Sequence, residues 1–555
     1  MGTLDHPKCF PARQTLGGGH DRGMRKLSIS EISSNSGDVV HPANPGVTCI
    51  VGANNVGKSQ VLRDLLVTFE STAPRRVALG EVAVDPPALG DDEDLEAWMF
   101  AHGVRLPQPA PGGVLQYTSI LGGQNLGVRD FEGFLNRPDS YLGVARQWFC
   151  WSATAGSLTG LATGSLGAGP GMSGNSPLAK LYRDGKLEQE LSRLANEAFG
   201  TTLTLDRSNA DVRLRIGRVE NVPVPPIDNP TIAYSDAVAA LPSLEQQGDG
   251  IKTFLGLALI VITGAVDVIV VDEPEAFLHP AQAKSLGRWL ARQASLREIQ
   301  IVVATHDRDF VLGLLEAAGD VPVTIIRATR TEDETHFRQL TSTELRTIWS
   351  DPVLRYSNVL QGLFYDEVCV CEGDADCRFY GAVLDARADE TGARSAADNL
   401  MFVPSGGKQR IASLTKPLTS LGVKGMVIAD FDVLNSRAAL RSILESLGGQ
   451  WTAAMNEDYV VFADAINGGS LWPDVKAQGL AAVPSGPPNA AAVRLLKASA
   501  DQSVLIVPVG ELESFDRTIG LEGAAWVSAM LEDHRHETNP EARLLIDQVT
   551  RTHKP

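Results

Sequence analysis

Gly52, Gly57, Lys58 and Ser59 in the stretch GANNVGKS occupy every fixed position of the pattern G-x-x-x-x-G-K-[ST]. Such a loop turns backbone N–H groups inward on phosphates, its lysine reaches the β and γ phosphates, and its hydroxyl gives an oxygen to Mg²⁺. Asn54 and Asn55 fill the variable positions of the same cradle. Far downstream, VIVVDEPEAFLHP closes four strand-forming residues with two acids. Asp272 is placed there to hold the magnesium shell, and Glu273 to orient and deprotonate an attacking water. His306, in VVATHD, ends the next apolar run, where a histidine can contact the γ-phosphate and report its hydrolysis. A solitary histidine is more often structural, and it is the position after the acidic pair that singles this one out. The chemistry implied is that of ATP with Mg²⁺ or Mn²⁺.

A second set of acids follows in the last third of the chain. VCVCEGDADCRFY puts Glu372 at a strand end and Asp376 on the first turn of the next helix, with Gly373 for the turn between. GMVIADFD puts Asp430 and Asp432 at another strand end, two apart, so both carboxylates project on one side. LIVPVGELESF repeats the plan with Glu511 and Glu513. Acidic strand ends of one parallel sheet meet at its carboxyl edge, where open α/β sheets place their ligands. Close carboxylates raise one another's pKa unless a cation neutralises them, and hard oxygen donors suit Mg²⁺ or Mn²⁺. Any one of these acids also reads as a solvated turn residue or a helix cap; the pattern lies in three clusters, each directly after an apolar strand.

The elements that must position these residues alternate. GVTCIVG is a buried strand feeding the glycine loop, and QVLRDLLVTFE continues as an amphipathic helix. Then come the helix DGIKTFLGLALIVITG, the strand DVIVVDEPE, the helix AQAKSLGRWLARQA and the strand IQIVVATHD. This order predicts an α/β fold with a largely parallel sheet covered on both faces. Residues 1–25 read as a loose arm and 26–355 as the nucleotide-binding domain. Within it, 71–229 is Pro- and Gly-rich and reads as an insertion with flexible loops, one amphipathic helix (YRDGKLEQELSRLANEAFG) and one hairpin (TTLTLDRSNADVRLRIGR). A second, smaller α/β domain spans 360–520, with a helical segment at 521–555.

At roughly 150 residues per domain, 555 residues allow two to four domains. A net charge of −18 argues against a protein that coats nucleic acid nonspecifically, but it leaves room for a local basic groove. Arg378, Lys408 and Arg410 are the candidates for one, each also readable as a plain surface charge. Six cysteines in so long a chain make no disulfide framework, and Cys369 and Cys371 alternate as strand residues do. FLGLALIVITGAVDVIVV comes nearest to a membrane span but is split by Gly256, Gly264 and Asp267, so it reads as a buried helix running into a buried strand. The N-terminal residues lack the apolar run of a secretory signal and a lipidation context, and a cytoplasmic location is expected.

The phosphate loop, DEPEAFLHP and ATHD resemble the ATP-binding-cassette branch of ATPases, in the subset found in DNA-repair and overcoming-lysogenization-defect (OLD) proteins. The resemblance implies head-to-head dimers in which a signature helix completes the partner's nucleotide site. The matching stretch is SLEQQGDGIKTF, with Ser243, Gly248 and Gly250 facing the partner nucleotide. ILGGQNLG, at residues 120–127, lies too far upstream for that role and offers Gln124 as a candidate for the magnesium-sensing glutamine. E-G-x-x-[DE] followed by D-x-D resembles the Toprim pattern, and an ABC-type ATPase followed by a Toprim domain is the OLD layout, similar also to the nuclease subunit of Gabija antiphage systems. This implies that Glu372, Asp376, Asp430, Asp432 and Glu511 or Glu513 hold two divalent ions for phosphodiester cleavage. The family also uses a lysine, for which Lys408 is favoured over Lys554. The tyrosine and extra domains of a topoisomerase are not recognisable, which tells against strand passage.

Three functions follow as expectations. One is an ATP-gated, metal-dependent nuclease acting in defence against phage or mobile DNA, with a defence-system protein as a further partner. The second is a sensor-effector ATPase whose Toprim domain cuts RNA such as tRNA. The third is a DNA-repair ATPase that clamps nucleic acid without cutting it, which the lack of coiled-coil heptads weakens. Metal-carboxylate chemistry serves DNA and RNA alike, with DNA placed first.

Overall fold

A computed structural model describes residues 24–551 except 72–73, 91–93, 107, 111–112, 138–140, 164–165, 168–176, 208–210, 227–228, 230, 341, 351–357, 393, 421 and 469. Nearly all of the expected arm, the expected end of the first domain near 355, and Lys554 fall outside these residues.

The first unit is built on a six-stranded sheet. Its order is Cys150–Thr154, Val268–Asp272, Gln300–Ala304, Gly46–Val51, Val323–Thr331, Glu334–Leu340. The first five strands run parallel and the last antiparallel. Period-two alternation sends Val47, Cys49, Ile269, Val271, Ile301 and Val303 to one face and Ile50, Val270 and Val302 to the other. Helices Asp249–Thr263, Pro280–Leu296 and Arg308–Ala317 cover the first face, and Lys58–Glu70 the second. Both faces are therefore apolar, and the central strands read as unbroken Val/Ile runs. The helix Asp249–Thr263 and the strand Val268–Asp272 resolve the long apolar stretch as a buried helix followed by a buried strand. Among the described residues no helix is long and apolar enough to cross a membrane.

The 71–229 region differs from its reading as an insertion of loops. Its strand Cys150–Thr154 pairs with Val268–Asp272 and becomes an edge of the main sheet, and the helix Ala155–Thr163 packs on Asp249–Thr263. The backbone of Leu158 there leaves no room for a Cβ at Gly256. CWSAT is too short and too polar to announce a buried strand, because an edge strand needs only one fully covered side. The amphipathic stretch is two helices, Pro177–Arg183 and Gly185–Phe199, divided where the Asp184 carboxylate accepts from the N–H of Lys186 at 2.8 Å. The hairpin forms from Leu203–Asp206 and Asp211–Ile216.

The second unit carries a four-stranded parallel sheet in the order Leu400–Pro404, Glu367–Cys371, Lys424–Ala429, Val504–Ile506. Helix Asp374–Thr391 carries Asp376 in its first turn, and Lys408–Arg410 is a tight 3-10 turn ahead of the helix Ile411–Ser420. Cys369 and Cys371 are fully buried strand residues, and all five described cysteines are free. The helices Gly523–Glu532 and Pro540–Arg551 close over Asp374–Thr391. Trp526, Met530 and Ile546 join Phe379 and Val383 in one core, and Arg387 meets Asp547 at 2.8 Å. The C-terminal segment is thus part of the second unit's core.

Arg327, on the strand Val323–Thr331 and only 3% exposed, fastens the units together. Its guanidinium donates to the carbonyls of Gly422 at 2.7 Å and Tyr365 at 2.9 Å. Burial draws its pKa down to about 10, and nearby Asp366 supports the charge. Charged donors in such bonds contribute about 1.5–3 kcal/mol each. Arg327→Ala is expected to lower the unfolding free energy by about 3 kcal/mol and to split a single calorimetric transition into two. A variant that melts as one transition at the wild-type temperature would contradict this role.

Candidate nucleotide site and acidic site

Register brings the first site together. Asp272 pairs with Ala304, and Ala304 pairs with Ile50, so the phosphate loop, the acidic pair and His306 leave three adjacent parallel strands at one carboxyl edge. Gly52 has φ +151°, and a Cβ there would strike the carbonyl oxygen of Ala328. Gly57, at φ +93°, caps the helix Lys58–Glu70. The loop therefore passes close under the neighbouring strand and turns sharply into the helix, as a phosphate cradle must. Asn54 and Asn55 are exposed on its rim and Ser59 is half-buried in the first turn. The Lys58 ammonium folds back to donate to the carbonyls of Gly52 at 2.9 Å and Ala53 at 2.8 Å. Burial pulls its pKa below the usual lysine range, against the opposing fields of Glu273, Asp272 and Glu275.

Asp272 ends its strand half-buried, and Glu273 follows with φ +52°. The Glu273 N–H donates to the carbonyl of Ala304 at 2.9 Å, and its Oε1 lies 3.0 Å from Nδ1 of His306. Both side chains remain about half exposed, at 50% and 55%, and so open to a reacting group. Sequence reasoning passed over Glu275, the second acid of DEPE. It is 6% exposed, accepts from the Thr305 hydroxyl at 2.5 Å, and burial pushes its pKa up to about 7. An acid two positions beyond Glu273, with Pro274 between them, was the signal for it.

Of the residues expected to face a partner nucleotide, Ser243 and Gly250 take up contacts inside the chain and Gly248 stays exposed. Ser243 is largely buried and its hydroxyl accepts from the N–H of Glu245 at 3.2 Å. Gly248 caps the helix Asp249–Thr263, and Gly250 lies so close to the Phe277 carbonyl that a Cβ would clash. The signature helix is thereby seated against the loop after the acidic pair. Gln124 stands in an exposed turn between two short strands, Gln116–Ser119 and Leu126–Gly127, its backbone held by the Gln147 side chain at 3.0 and 2.6 Å. Among the described residues no hydrogen bond joins Gln124 to Ser59 or Asp272.

In the second unit, Glu372, Asp430 and the Glu511–Glu513 turn all follow strand ends at one carboxyl edge. Glu372 Oε1 accepts from the N–H of Asp430 at 3.2 Å, and its carbonyl is held by the N–H groups of Gly406 and Gly407. Asp376 accepts from the N–H of Gly373 at 2.6 Å. Lys408 reaches Asp432 at 2.7 Å, Lys476 reaches Glu511 at 3.1 Å, and Glu513 accepts from the N–H of Gly523 at 2.6 Å. Burial, followed by the fields of Glu372, Asp376, Asp432 and Glu511, drives the pKa of Asp430 to about 9. Burial, with Asp432 next, puts Glu372 at about 7, and burial, opposed by the Gly373 N–H, puts Asp376 at about 6. Tyr380, also unforeseen, is fully buried, with its hydroxyl unpartnered among the described residues and within the fields of Asp376 and Asp430.

The acids gather electrostatically, but among the described residues no three His, Cys, Asp or Glu side chains stand in metal-ligand geometry. The reason is local: Asp432 and Glu511 each turn to a lysine, and Asp376 and Glu513 each turn to a backbone N–H. Of the arginines considered for a basic groove, Arg378 is paired with Asp374 at 2.7 Å and Arg410 is exposed.

Residues 171–313 match the family model described as "AAA domain, putative AbiEii toxin, Type IV TA system". The match contains the acidic strand and His306 and begins beyond the phosphate loop. The first unit is an α/β domain of the P-loop ATPase kind. No curated protein matches the chain. Among solved structures it is similar to the Smc head domain with an extended coiled coil, bound to the C-terminal domain of ScpA, from Pyrococcus furiosus. That likeness is at 13% identity over 58% of this chain and 98% of that one, with a TM-score of 0.33. It is also similar to the SMC head domain from Thermotoga maritima, at 15% identity over 57% and 99%, with a TM-score of 0.28. A third is cbiO1 of Clostridium perfringens, part of the ABC transporter complex cbiONQ, at 13% identity over 57% and 89%, with a TM-score of 0.27.

Proposed function

We propose that the chain is an ATP-gated, divalent-metal-dependent endonuclease that cleaves nucleic-acid phosphodiester bonds in defence against phage or mobile DNA, with its second unit a Toprim-type nuclease domain. The observation that carries this reading is Asp430, at a strand end within the fields of four other carboxylates, in a chain whose phosphate-loop pattern also sits between a buried strand and a helix. Crowded, half-buried carboxylates that repel one another form a donor set of the type hard cations select. The unpartnered Tyr380 hydroxyl beside them fits a polar centre left short of partners. Glu372, Asp376, Asp430 and Asp432, with Glu511 or Glu513, would hold Mg²⁺ or Mn²⁺. When bound, the metal supplies Lewis-acid activation of water and stabilisation of the leaving oxygen. Lys408 neutralises Asp432 and brings a cation to the edge where a phosphate would lie. Glu372, which accepts from the N–H of Asp430, ties these two strand ends together, and Asp376 would turn from the Gly373 N–H to join them.

Gating is supported by the junction of the two units. A cavity of ≈ 350 Å³ is lined by Asn54, His306 and Arg308 on the nucleotide side and by Gln361, Tyr365 and Asn399 on the other. A change in nucleotide state at Asn54 and His306 would alter one wall of this cavity, and Arg327 ties its own strand to the Tyr365 carbonyl on the other. In this reading the ATPase units would pair head to head as a homodimer, with the exposed Gly248 toward the partner nucleotide and Ser243 and Gly250 joining it once the Ser243 cap and the Gly250–Phe277 contact rearrange.

The test is cleavage by the purified full chain of plasmid DNA and of total RNA, with Mg²⁺ or Mn²⁺ and ATP, beside Asp430→Ala/Asp432→Ala. Cleavage by the wild type that falls at least about 100-fold in the double variant is expected. DNA as the polymer cut supports the reading as stated, and RNA alone would move it to the RNA-cutting effector. Equal cleavage by both proteins removes the acids from the chemistry, and ATP hydrolysis with neither polymer cut favours a nucleic-acid clamp.

A further inference from the structure

Glu275 is 6% exposed and Thr305, which it contacts, is fully buried. The Thr305 hydroxyl donates to Glu275 Oε1 at 2.5 Å and accepts from the N–H of Asp307 at 2.9 Å. The Thr305 N–H donates to the carbonyl of Ile50, at the root of the phosphate loop, at 3.1 Å. His306 is the residue enclosed by these bonds, and one residue further on Asp307 caps the helix Arg308–Ala317 by accepting from the N–H of Phe310 at 2.6 Å. On the acidic side the chain is tied at Glu273, whose N–H donates to Ala304. Two rungs thus join the acidic turn to the histidine turn. The Glu273–Ala304 bond is backbone to backbone, and the Glu275–Thr305 bond is side chain to side chain. Between them lies the pair His306 Nδ1 and Glu273 Oε1.

A buried carboxylate is a costly way to fill space, because an apolar residue of similar size packs there without desolvating an ionisable group. Glu275 Oε2 has no hydrogen-bond partner among the described residues, so the group is not held for a saturated network of its own. What it does hold is the Thr305 hydroxyl, and through it the backbone on both sides of His306.

We propose that Glu275 is a positioning residue for ATP hydrolysis, fixing the His306–Glu273 pair through the Thr305 hydroxyl without itself touching nucleotide. This rests on the reading of Glu273 and His306 as the hydrolytic pair. Misplacement of a reacting group by about 1 Å is enough to lower a rate by about 100-fold, so a side chain outside the cradle can act at this scale.

The experiment compares steady-state ATP hydrolysis by the full chain for Glu275→Leu, Glu275→Gln, Thr305→Val, Thr305→Ser, His306→Ala and Glu275→Leu/His306→Ala. The same proteins carrying ¹³C-labelled histidine report the His306 ring resonance, assigned by its loss in His306→Ala. Glu275→Leu and Thr305→Val are expected to lower kcat by about 10–100-fold with KM for ATP within about threefold, and to displace the His306 resonance. Glu275→Gln and Thr305→Ser keep the acceptor and the hydroxyl and are expected to stay within about threefold of wild type. The double variant is expected to be no slower than His306→Ala, since both changes disable one unit. Wild-type kcat in Glu275→Leu, losses that multiply in the double variant, or an unmoved His306 resonance would each overturn the proposal. If Glu275→Leu does not fold, Thr305→Val decides. If the wild type turns over no ATP, the hydrolytic reading itself fails and the His306 resonance alone judges the coupling.

Discussion

Glu273→Gln is expected to lower ATP turnover by about 10²–10⁴-fold while ATP affinity changes by less than about threefold. Glutamine keeps the size of the side chain and its contact with His306 Nδ1, and it removes only the ability to take a proton from water. The Glu273 backbone is fixed by Ala304 and the φ of +52° is unchanged, so the variant leaves the phosphate cradle intact. Lys58→Ala should behave differently. It removes the ammonium that caps the Gly52 and Ala53 carbonyls, and it is expected to weaken ATP binding itself. Turnover is measured by phosphate release and affinity by titration with a fluorescent ATP analogue. A Glu273→Gln protein with turnover within about threefold of wild type would remove this residue from the water-activating role.

The second large effect lies at Asp430. In the folded chain its pKa is about 9, against an ordinary value of 3.8. Between these values the folded state keeps a proton that the unfolded chain has released, so stability declines as pH rises from about 4 to about 9. A tenfold difference in proton affinity between the folded and unfolded chain corresponds to about 1.4 kcal/mol, so even a difference of about 100-fold lowers stability by about 3 kcal/mol at alkaline pH. Asp430→Asn removes the charge and is expected to raise Tm by about 3–8 °C at pH 8.5 without metal, with little gain at pH 5. Mg²⁺ or Mn²⁺ should close the gap by stabilising the wild type at pH 8.5 and leaving the variant almost unmoved. Glu372, at about 7, and Asp376, at about 6, add the same slope over the lower part of the range. A wild-type Tm that rises steadily from pH 5 to pH 9 without metal would show that these carboxylates do not crowd one another.

The readable parts of this chain are those where periodicity and chemistry coincide. Four consecutive strand formers end in Asp272, and in the second sheet an alternating run ends in Glu372. Those strands form where the sequence predicts them, with the acids at their carboxyl ends. The strand Cys150–Thr154 was not legible, because CWSAT carries no apolar run and its place is set by pairing with a strand more than a hundred residues away. The role of the segment after residue 520 was hidden for a similar reason. Trp526 and Ile546 look like any amphipathic helix residues until they meet Phe379. Glu275 was passed over because its significance lies in Thr305, on another strand, and Lys408 was separable from Lys554 only as a preference. The 2.7 Å approach of Lys408 to Asp432 comes from the turn at Gly406 and Gly407, which delivers the lysine to the acidic edge.

Gating means that nucleotide state at the first site governs cleavage at the second. It is read from the initial rate of plasmid cleavage, in Mg²⁺ with saturating ATP, by wild type, by Lys58→Ala and by Glu273→Gln. The first variant is expected to be starved of nucleotide and the second to hold ATP unhydrolysed. The two variants are expected to differ from each other by at least about tenfold, on opposite sides of the wild-type rate, with all cleavage lost when Asp430→Ala/Asp432→Ala is added. Equal cleavage by all three proteins, with the acidic residues still required, would contradict gating and leave two independent activities on one chain.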